Sequence, residues 1–263
     1  MCGIALDLLV GAPAAVCAAA ACHADEWQAL ARENARRGPD AAGEHIVQLN
    51  GDGHPSVALR FFGATLHLRG DRVTQQPLVD QHGNVLCWNG EVFAGLEIGE
   101  NNDAVCLQHA LEHAVDAGHT VLSVLNAIRG PFAMIYYEAA RQRLWFGRDC
   151  LGRRSLLWKS TSDAGVLRLT LSSTVLPSLV ANDGLLVGEG ENEDPVLPTT
   201  AGTITSEVPA SGICCLDLGQ LLRTARSDGV IDGGLVHALD VHTWSFDHAE
   251  AVDVAPSSLL KTF

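Results

Sequence analysis

The chain opens with a continuous apolar run at residues 2–10, which predicts a buried β-strand that starts at the N-terminus itself. Further strands are predicted at 45–49, 56–62, 65–68, 84–88, 132–138, 143–146, 156–159, 166–172 and 212–216. Helices are predicted at 24–37, 102–117 and 121–128, with Asn102 as an N-cap, and a loop at 182–206. Helices packed on largely antiparallel strands favour a layered α+β architecture.

Net charge and cysteine usage indicate which partners and which cellular compartment to expect. The 263 residues carry 17 Lys and Arg against 31 Asp and Glu, a net charge of −14. Such a surface repels phosphates, so neither nucleic acid nor an anionic membrane is an expected partner. The eight cysteines include no Cys-x-x-Cys pair, and most lie in apolar runs. The Ala-rich stretch at 8–22 is apolar like the hydrophobic region of a signal peptide. No Lys or Arg precedes it, however, and Pro13 interrupts it, so a signal peptide is not favoured. We therefore expect a reduced, cytoplasmic protein.

Cys2 is the first candidate for chemistry. If Met1 is removed, a thiol and a free α-amine share one carbon. An α-amino group has a pKa of about 8, so it can take the thiol proton and later return it. One residue then supplies both nucleophile and base. The alternative is a buried cysteine at the start of a strand, and position alone favours that alternative.

Four short motifs follow one another along the chain. They are Cys2-Gly3-Ile4, Arg37-Gly38-Pro39-Asp40, Asn89-Gly90-Glu91 and Gly147-Arg148-Asp149. In this order, they resemble the glutaminase domain of the class II (N-terminal nucleophile) glutamine amidotransferases, in the asparagine synthetase branch. The match is best to the asparagine synthetase domain-containing group, through His67 to Gly70, Thr74 to Pro77 and Gly152 to Trp158.

The resemblance runs from Cys2 to about Leu218. It implies a glutaminase domain at 2–218 and an extension at 219–263, either the truncated start of a synthetase region or a linker. It also implies a four-layer αββα fold, in which two mainly antiparallel sheets pack between helical layers.

The resemblance further implies that the substrate is L-glutamine. Cys2 would attack the amide carbon, and the side chain of Asn89 with the backbone N–H of Gly90 would form the oxyanion hole. Hydrolysis of the resulting thioester would give glutamate and ammonia. Without the other motifs, a hairpin turn is the preferred interpretation of an Asn-Gly pair.

Three further residues are implied to hold the amino-acid end of glutamine. Arg69 would bind the α-carboxylate, Asp103 the α-ammonium, and Glu91 would be a third polar contact. The alternatives are a surface ion pair for Arg69 and a charge matched to the helix dipole for Asp103. We expect structural roles for the remaining motif residues: Asp40 bonding local backbone amides, and Arg148 with Asp149 as a buried pair.

The sequence His109-Ala110-Leu111-Glu112-His113 matches the H-x-x-E-H signature of a class of zinc proteases. Such enzymes need a third ligand on a later helix, and the acidic residues downstream lie mostly in predicted loops. The other face of this predicted helix carries the apolar stripe, so we expect His109 and His113 to be solvated and predict neither metal nor cofactor.

The Ser-Gly-Gly-x-Asp-Ser phosphate loop of the synthetase domain does not occur in the sequence. We therefore expect this chain to make ammonia without itself completing asparagine synthesis, with a synthetase domain or subunit as the acceptor. The alternative is a non-catalytic glutamine-binding or regulatory module of the same group.

Overall fold

The structure is a computed structural model that describes residues 1–49, 55–114, 120–175, 206–228 and 238–245. The strands in these residues are β1 Gly3–Gly11, β2 Ala41–Leu49, β3 Ser56–Thr65, β4 Leu78–Val79, β5 Val85–Gly90, β6 Phe132–Glu138, β7 Arg143–Arg148, β8 Leu157–Asp163, β9 Val166–Ser172, β10 Ser206–Glu207, β11 Gly212–Asp217 and β12 Leu239–Thr243. The helices are α1 Pro13–Cys22, α2 Ala24–Ala35, α3 Asp103–Ala114, α4 Val121–Ala127 and α5 Leu218–Asp228.

The strands form two six-stranded sheets whose neighbours all run antiparallel. The first sheet has the order β10-β8-β9-β1-β3-β2, and the second has the order β12-β11-β7-β6-β5-β4. Strand β1 lies inside the first sheet, where Leu6 is opposite Phe61 of β3 on one side and Leu171 of β9 on the other.

Strand β1 is buried on both of its faces. Ile4, Leu6 and Leu8 point into the core between the two sheets. Ala5 and Leu9 point the other way, into two smaller cores beneath the first helices. A strand covered on both faces has no solvent side on which polar residues would alternate, which explains its continuous apolar sequence.

Helices cover the outer face of each sheet. Trp27 and Leu30 of α2 pack on the first sheet, while Leu107 of α3 and Leu125 of α4 pack on the second. The layers are therefore helix, sheet, sheet, helix. The predicted four-layer αββα fold is confirmed.

Two local predictions differ from the structure. The strand predicted at 65–68 is wrong: β3 ends at Thr65, where both neighbouring strands run out, since Gly3 of β1 is opposite Ala64 and Ala41 of β2 is opposite Thr65. The stretch weighed as a signal peptide forms the end of β1 and then α1, with Pro13 at the first helical turn, where a proline costs no hydrogen bond. None of the five helices has the length and apolarity that a membrane crossing requires.

Some predicted features lie outside the described residues. These are the end of the helix predicted at 102–117, which is described as far as Ala114, and the loop predicted at 182–206, apart from Ser206. Within the predicted extension, Leu221 of α5 joins the core between the sheets, and β12 pairs with β11. The division of the chain near residue 218 stays a prediction. All eight cysteines are described, and all are free thiols.

A buried charge cluster ties α2 to the outer face of the first sheet. Asp7 of β1 accepts hydrogen bonds from Arg168 Nε at 2.7 Å and from Thr170 Oγ1 at 3.1 Å. Arg168 also contacts Glu26 of α2 at 2.5 Å. Burial lowers the pKa of the Arg168 guanidinium, but the two carboxylates outweigh burial and raise it overall. Lys159 Nζ lies 3.7 Å from the other oxygen of Glu26, so the cluster pairs two carboxylates with two cations.

We expect Asp7→Ala to destabilise the fold by about 3 kcal/mol, because it leaves the Arg168 guanidinium buried with only Glu26. The matched control is Arg36→Ala, which breaks the exposed Arg36–Glu33 pair and should cost less than about 1 kcal/mol. Urea unfolding followed by tryptophan fluorescence measures both. Equal losses in the two variants would contradict the role assigned to the cluster.

Candidate active site

One cleft brings together all six residues that the sequence suggests as a site. Its volume, including the open mouth, is about 450 Å3. The six are Cys2, Arg69, Asn89, Gly90, Glu91 and Asp103. They come from the N-terminus, the segment after β3, the end of β5 and the start of α3. The fold therefore assembles a single concave site from positions as much as a hundred residues apart.

Cys2 lies directly before β1, and its backbone is fixed from several sides. Arg37 Nε donates to the carbonyl of Cys2 at 3.2 Å, and Ser173 Oγ accepts from the N–H of Ile4 at 3.1 Å. A Cβ at Gly3 would lie 2.1 Å from the carbonyl oxygen of Asn34 in α2. Only glycine permits this approach, so helix α2 and strand β1 together set the direction of the thiol.

The Cys2 thiol is protonated in this environment. Its Sγ points to the carbonyl oxygen of Leu66 at 3.9 Å. Burial raises the pKa of the thiol, and this outweighs the Leu66 contact, the N-terminal ammonium and the guanidiniums of Arg154 and Arg37, all of which lower it. A thiol with a raised pKa needs a base before it can act as a nucleophile.

Asn89 and Gly90 do not form a hairpin turn. They are the last residues of β5, opposite Ala133 and Phe132 of β6. A Cβ at Gly90 would lie 2.6 Å from the Pro131 carbonyl oxygen and from the Phe132 side chain, so no larger residue fits. Asn89 is 1% exposed, and its Nδ2 has no hydrogen-bond partner among the described residues. A buried amide donor without a partner is costly, and here it borders the cleft.

Gln76 holds the end of β5 in place. Its side chain donates from Nε2 to the Trp88 carbonyl at 2.9 Å and accepts from the Trp88 N–H at 2.6 Å. One buried amide thus satisfies both backbone groups of the residue before Asn89. This supports the strand beyond the two residues that β4 pairs with.

Arg69 and Asp103 form an ion pair at the cleft. Arg69 Nη1 lies 2.8 Å from Asp103 Oδ1, and it also donates to the Val92 carbonyl at 3.2 Å. Asp103 is the first residue of α3, and Asn102 caps that helix by accepting from the Ala104 N–H at 3.0 Å. Burial raises the pKa of the Asp103 carboxyl, more than Arg69 lowers it.

Glu91 contacts Arg154, a cleft residue that lies in the motif Gly152 to Trp158 but has no role assigned from the sequence. Arg154 Nη2 lies 2.8 Å from Glu91 Oε1, and the Arg154 side chain is 16% exposed. Its charge also acts on Cys2, whose pKa it lowers. The motif does not show which of its residues face the cleft, so only the fold places Arg154 near the Cys2 thiol.

The other motif residues support the cleft from outside. Asp40 accepts a hydrogen bond at 2.7 Å from the N–H of His67, which is 27 residues further along the chain. The expected bond from Asp40 to local backbone amides is therefore wrong. Asp149 accepts from the N–H groups of Phe132 and Arg153, at 3.0 and 3.1 Å. Arg148 pairs with Glu207 at 3.0 Å, so Arg148 and Asp149 are both buried but bind different partners.

The sequence comparisons agree with this geometry. Residues 65–176 match the family model described as glutamine amidotransferase domain. The chain is 38% identical over 192 residues to asparagine synthetase domain-containing protein 1 of Gallus gallus, covering 72% of this chain and 26% of that protein. It is 34% identical over 193 residues to the protein of the same name in Homo sapiens, covering 73% and 25%. The chain thus spans about a quarter of the length of these relatives.

Solved structures share the fold. Glutamine phosphoribosylpyrophosphate amidotransferase from B. subtilis, complexed with ADP and GMP, superposes with a TM-score of 0.51 and 14% identity, covering 92% of this chain and 50% of that one. A structure described as the allosteric regulatory enzyme of purine biosynthesis has a TM-score of 0.52 and 12% identity, covering 92% and 49%. At this identity, the likeness concerns the fold alone.

The raised pKa of Cys2 predicts an order of thiol reactivity. In chains that retain Met1, prepared with methionine aminopeptidase inhibited, Cys2 should react with iodoacetamide several-fold more slowly than exposed Cys17 at pH 8. Buried Cys87, whose pKa burial also raises, should stay unlabelled in the native protein. A time course of peptide mass spectra measures all three rates, and equal rates for Cys2 and Cys17 would contradict the protonated thiol.

Proposed function

We propose that this chain, whose residues 65–176 match a glutamine amidotransferase domain, hydrolyses L-glutamine to L-glutamate and ammonia through a thioester on Cys2. The observation that carries the proposal is the composition of one cleft. A thiol at the chain's start, an unpartnered amide donor on Asn89 and a pair of opposite charges line the same cavity.

The reaction begins with removal of Met1, which frees the α-amine of Cys2. The amine takes the proton from Sγ, since the half-buried thiol, whose pKa is raised, does not ionise at neutral pH by itself. Sγ then attacks the amide carbon, and the carbonyl π electrons move to oxygen. The side-chain amide of Asn89 and the backbone N–H of Gly90 stabilise that oxyanion.

The intermediate then collapses. The carbon–nitrogen bond breaks, and the Cys2 ammonium returns its proton to the leaving nitrogen, which departs as ammonia. Water next attacks the thioester with the same amine as base, and the carbon–sulfur bond breaks. Glutamate leaves, and the thiol regains its proton. No cofactor enters these steps, since no oxidation or phosphoryl transfer occurs.

The Arg69–Asp103 pair supplies recognition of the amino-acid end. The guanidinium of Arg69 binds the α-carboxylate, and the carboxylate of Asp103 binds the α-ammonium. When glutamine binds, Arg69 therefore exchanges the Asp103 carboxylate for the α-carboxylate, and Asp103 exchanges the Arg69 guanidinium for the α-ammonium. Burial disfavours the ionised form of Asp103, and an adjacent ammonium restores it. Glu91, held by Arg154, adds the third polar contact.

Released ammonia needs an acceptor. We place it in an ATP-dependent synthetase domain or subunit outside these 263 residues, in keeping with glutamine-dependent asparagine synthesis. Two facts support this: the relatives are about four times as long as the aligned region, and their name contains asparagine synthetase. We propose a cytoplasmic location for the same chemistry.

A non-catalytic glutamine-binding module is the second candidate. It is favoured by the raised pKa of the half-buried Cys2 thiol, because a thiol that keeps its proton is not a nucleophile. Such a module would bind glutamine in the same cleft through Arg69 and Asp103, without turnover.

Glutamate release distinguishes the two candidates. The purified chain should lose Met1, as shown by intact mass, and release glutamate from glutamine. Cys2→Ala should reduce this activity to background while calorimetry still detects glutamine binding. Cys17→Ala is the matched control, an exposed cysteine outside the cleft whose loss should change nothing. Retained Met1, or full activity in Cys2→Ala, would refute the mechanism, and binding without turnover in the unmodified chain would favour the module.

Substitutions of Asn89 and of Arg69 should change different kinetic parameters. Asn89→Ala should lower kcat about 100- to 1000-fold with little change in KM, because its donor acts on the oxyanion and not on bound substrate. Arg69→Ala should mainly raise KM, since the α-carboxylate is held in ground and transition states alike. Steady-state kinetics with circular dichroism as a folding control measure this, and a pure KM effect for Asn89→Ala would exclude it from the oxyanion hole.

A further inference from the structure

A cluster of metal-binding side chain types lies outside the cleft, on helix α3. Among the described residues, His109, Glu112 and His113 form one group whose candidate ligand atoms all lie within 4.8 Å of one another. The two histidines are exposed and Glu112 is half-buried. Solvation of the histidines, predicted from the apolar stripe on the other face, is confirmed.

Helix geometry places the three side chains together. Residues three and four apart lie on the same face of a helix. The two imidazole rings are accordingly close, with centroids 6.4 Å apart. Leu107 and Leu111 of the same helix are buried against the second sheet, so the cluster and the core occupy different faces.

A fourth candidate ligand comes from a different element. His82, in the connection between β4 and β5, places its Nε2 3.4 Å from Glu112 Oε1. Gln81 Nε2 donates to the same oxygen at 3.1 Å. Asp80 accepts from the N–H of His82 at 2.8 Å and so fixes the turn that presents it. Glu112 is thus already held by a hydrogen bond from Gln81 and a contact with His82, as metal-binding carboxylates commonly are held by neighbours.

We propose that His109, Glu112 and His113 bind a Zn2+ ion, with His82 as the fourth ligand. Two or three imidazoles with one carboxylate are a ligand set that suits zinc. Tetrahedral coordination at 2.0–2.1 Å from zinc to nitrogen requires ligand atoms about 3.3 Å apart. The three α3 residues already have ligand atoms within 4.8 Å of one another, and His82 Nε2 lies 3.4 Å from Glu112 Oε1, so binding requires the exposed imidazoles to rotate toward a common centre. The site is not catalytic, because none of these residues lines the cleft.

Bound zinc would join two elements that reach the cleft. His109 follows Asp103 by six residues, about 9 Å along the axis of α3. The turn that carries His82 leads directly into β5, which ends at Asn89 and Gly90. A metal that cross-links α3 to this turn should stabilise the folded chain by mass action, whether or not the chain hydrolyses glutamine.

The test is a zinc titration of the full chain by calorimetry, with the thermal midpoint as a second readout. His109→Gln/His113→Gln should weaken binding by at least about tenfold and remove the zinc-dependent rise in midpoint. His82→Gln should give a smaller loss. His45→Gln is the matched control, a histidine on β2 outside the cluster, and should bind zinc as the unmodified chain does.

Exposed cysteines also bind zinc, so the ligands must be identified. Co2+ distinguishes them, because thiolate ligation adds a charge-transfer band that imidazole and carboxylate ligation lack. We expect a visible Co2+ spectrum without that band, lost in the double variant. Unchanged zinc affinity in the double variant, a thiolate band at the tight site, or no zinc binding by the unmodified chain would each overturn the proposal. If the double variant is unfolded, His109→Gln alone gives the same comparison.

Discussion

The burial of β1 on both faces is the constraint on which the rest of the structure depends. Its inner face packs against the second sheet and its outer face against α1 and α2, so the strand has no freedom to shift or rotate. The residue before it, Cys2, therefore emerges at a fixed point beside the end of β5. The position of the thiol is a consequence of core packing and not of local loop structure.

Charges in the cleft are already paired before any substrate enters. Arg69 binds Asp103, and Arg154 binds Glu91. The half-buried Cys2 thiol is neutral, because partial burial raises its pKa. Recognition of a zwitterion by such a site proceeds by exchange of partners, which leaves few charges without compensation at any stage. The Asn89 amide differs from these groups, since no residue in the described part of the chain supplies an acceptor for its Nδ2.

Much of the fold and of the candidate site could be predicted from the sequence. Strands β6 and β9 were bounded correctly because apolar runs there end at clear turn signals. Helix α1 escapes such prediction, since its alanines and cysteines show no periodic contrast between faces. The six site residues are implied by the family resemblance, and the structure places them in one cleft, while their roles stay predictions. Arg154 contacts Glu91 and Gln76 contacts Trp88, and the sequence pattern does not predict which residues of different segments contact one another.

The two hydrogen bonds of Gln76 bear on how this cleft tolerates change. A neighbouring strand would normally engage the backbone of Trp88, but here a single carboxamide does so, with donor and acceptor both in use. A carboxylate of the same shape lacks the donor, and an isosteric alkyl group lacks both. Substitution or spontaneous deamidation at this one position would therefore loosen the strand end that carries Asn89, although Gln76 itself belongs to a different segment of the chain.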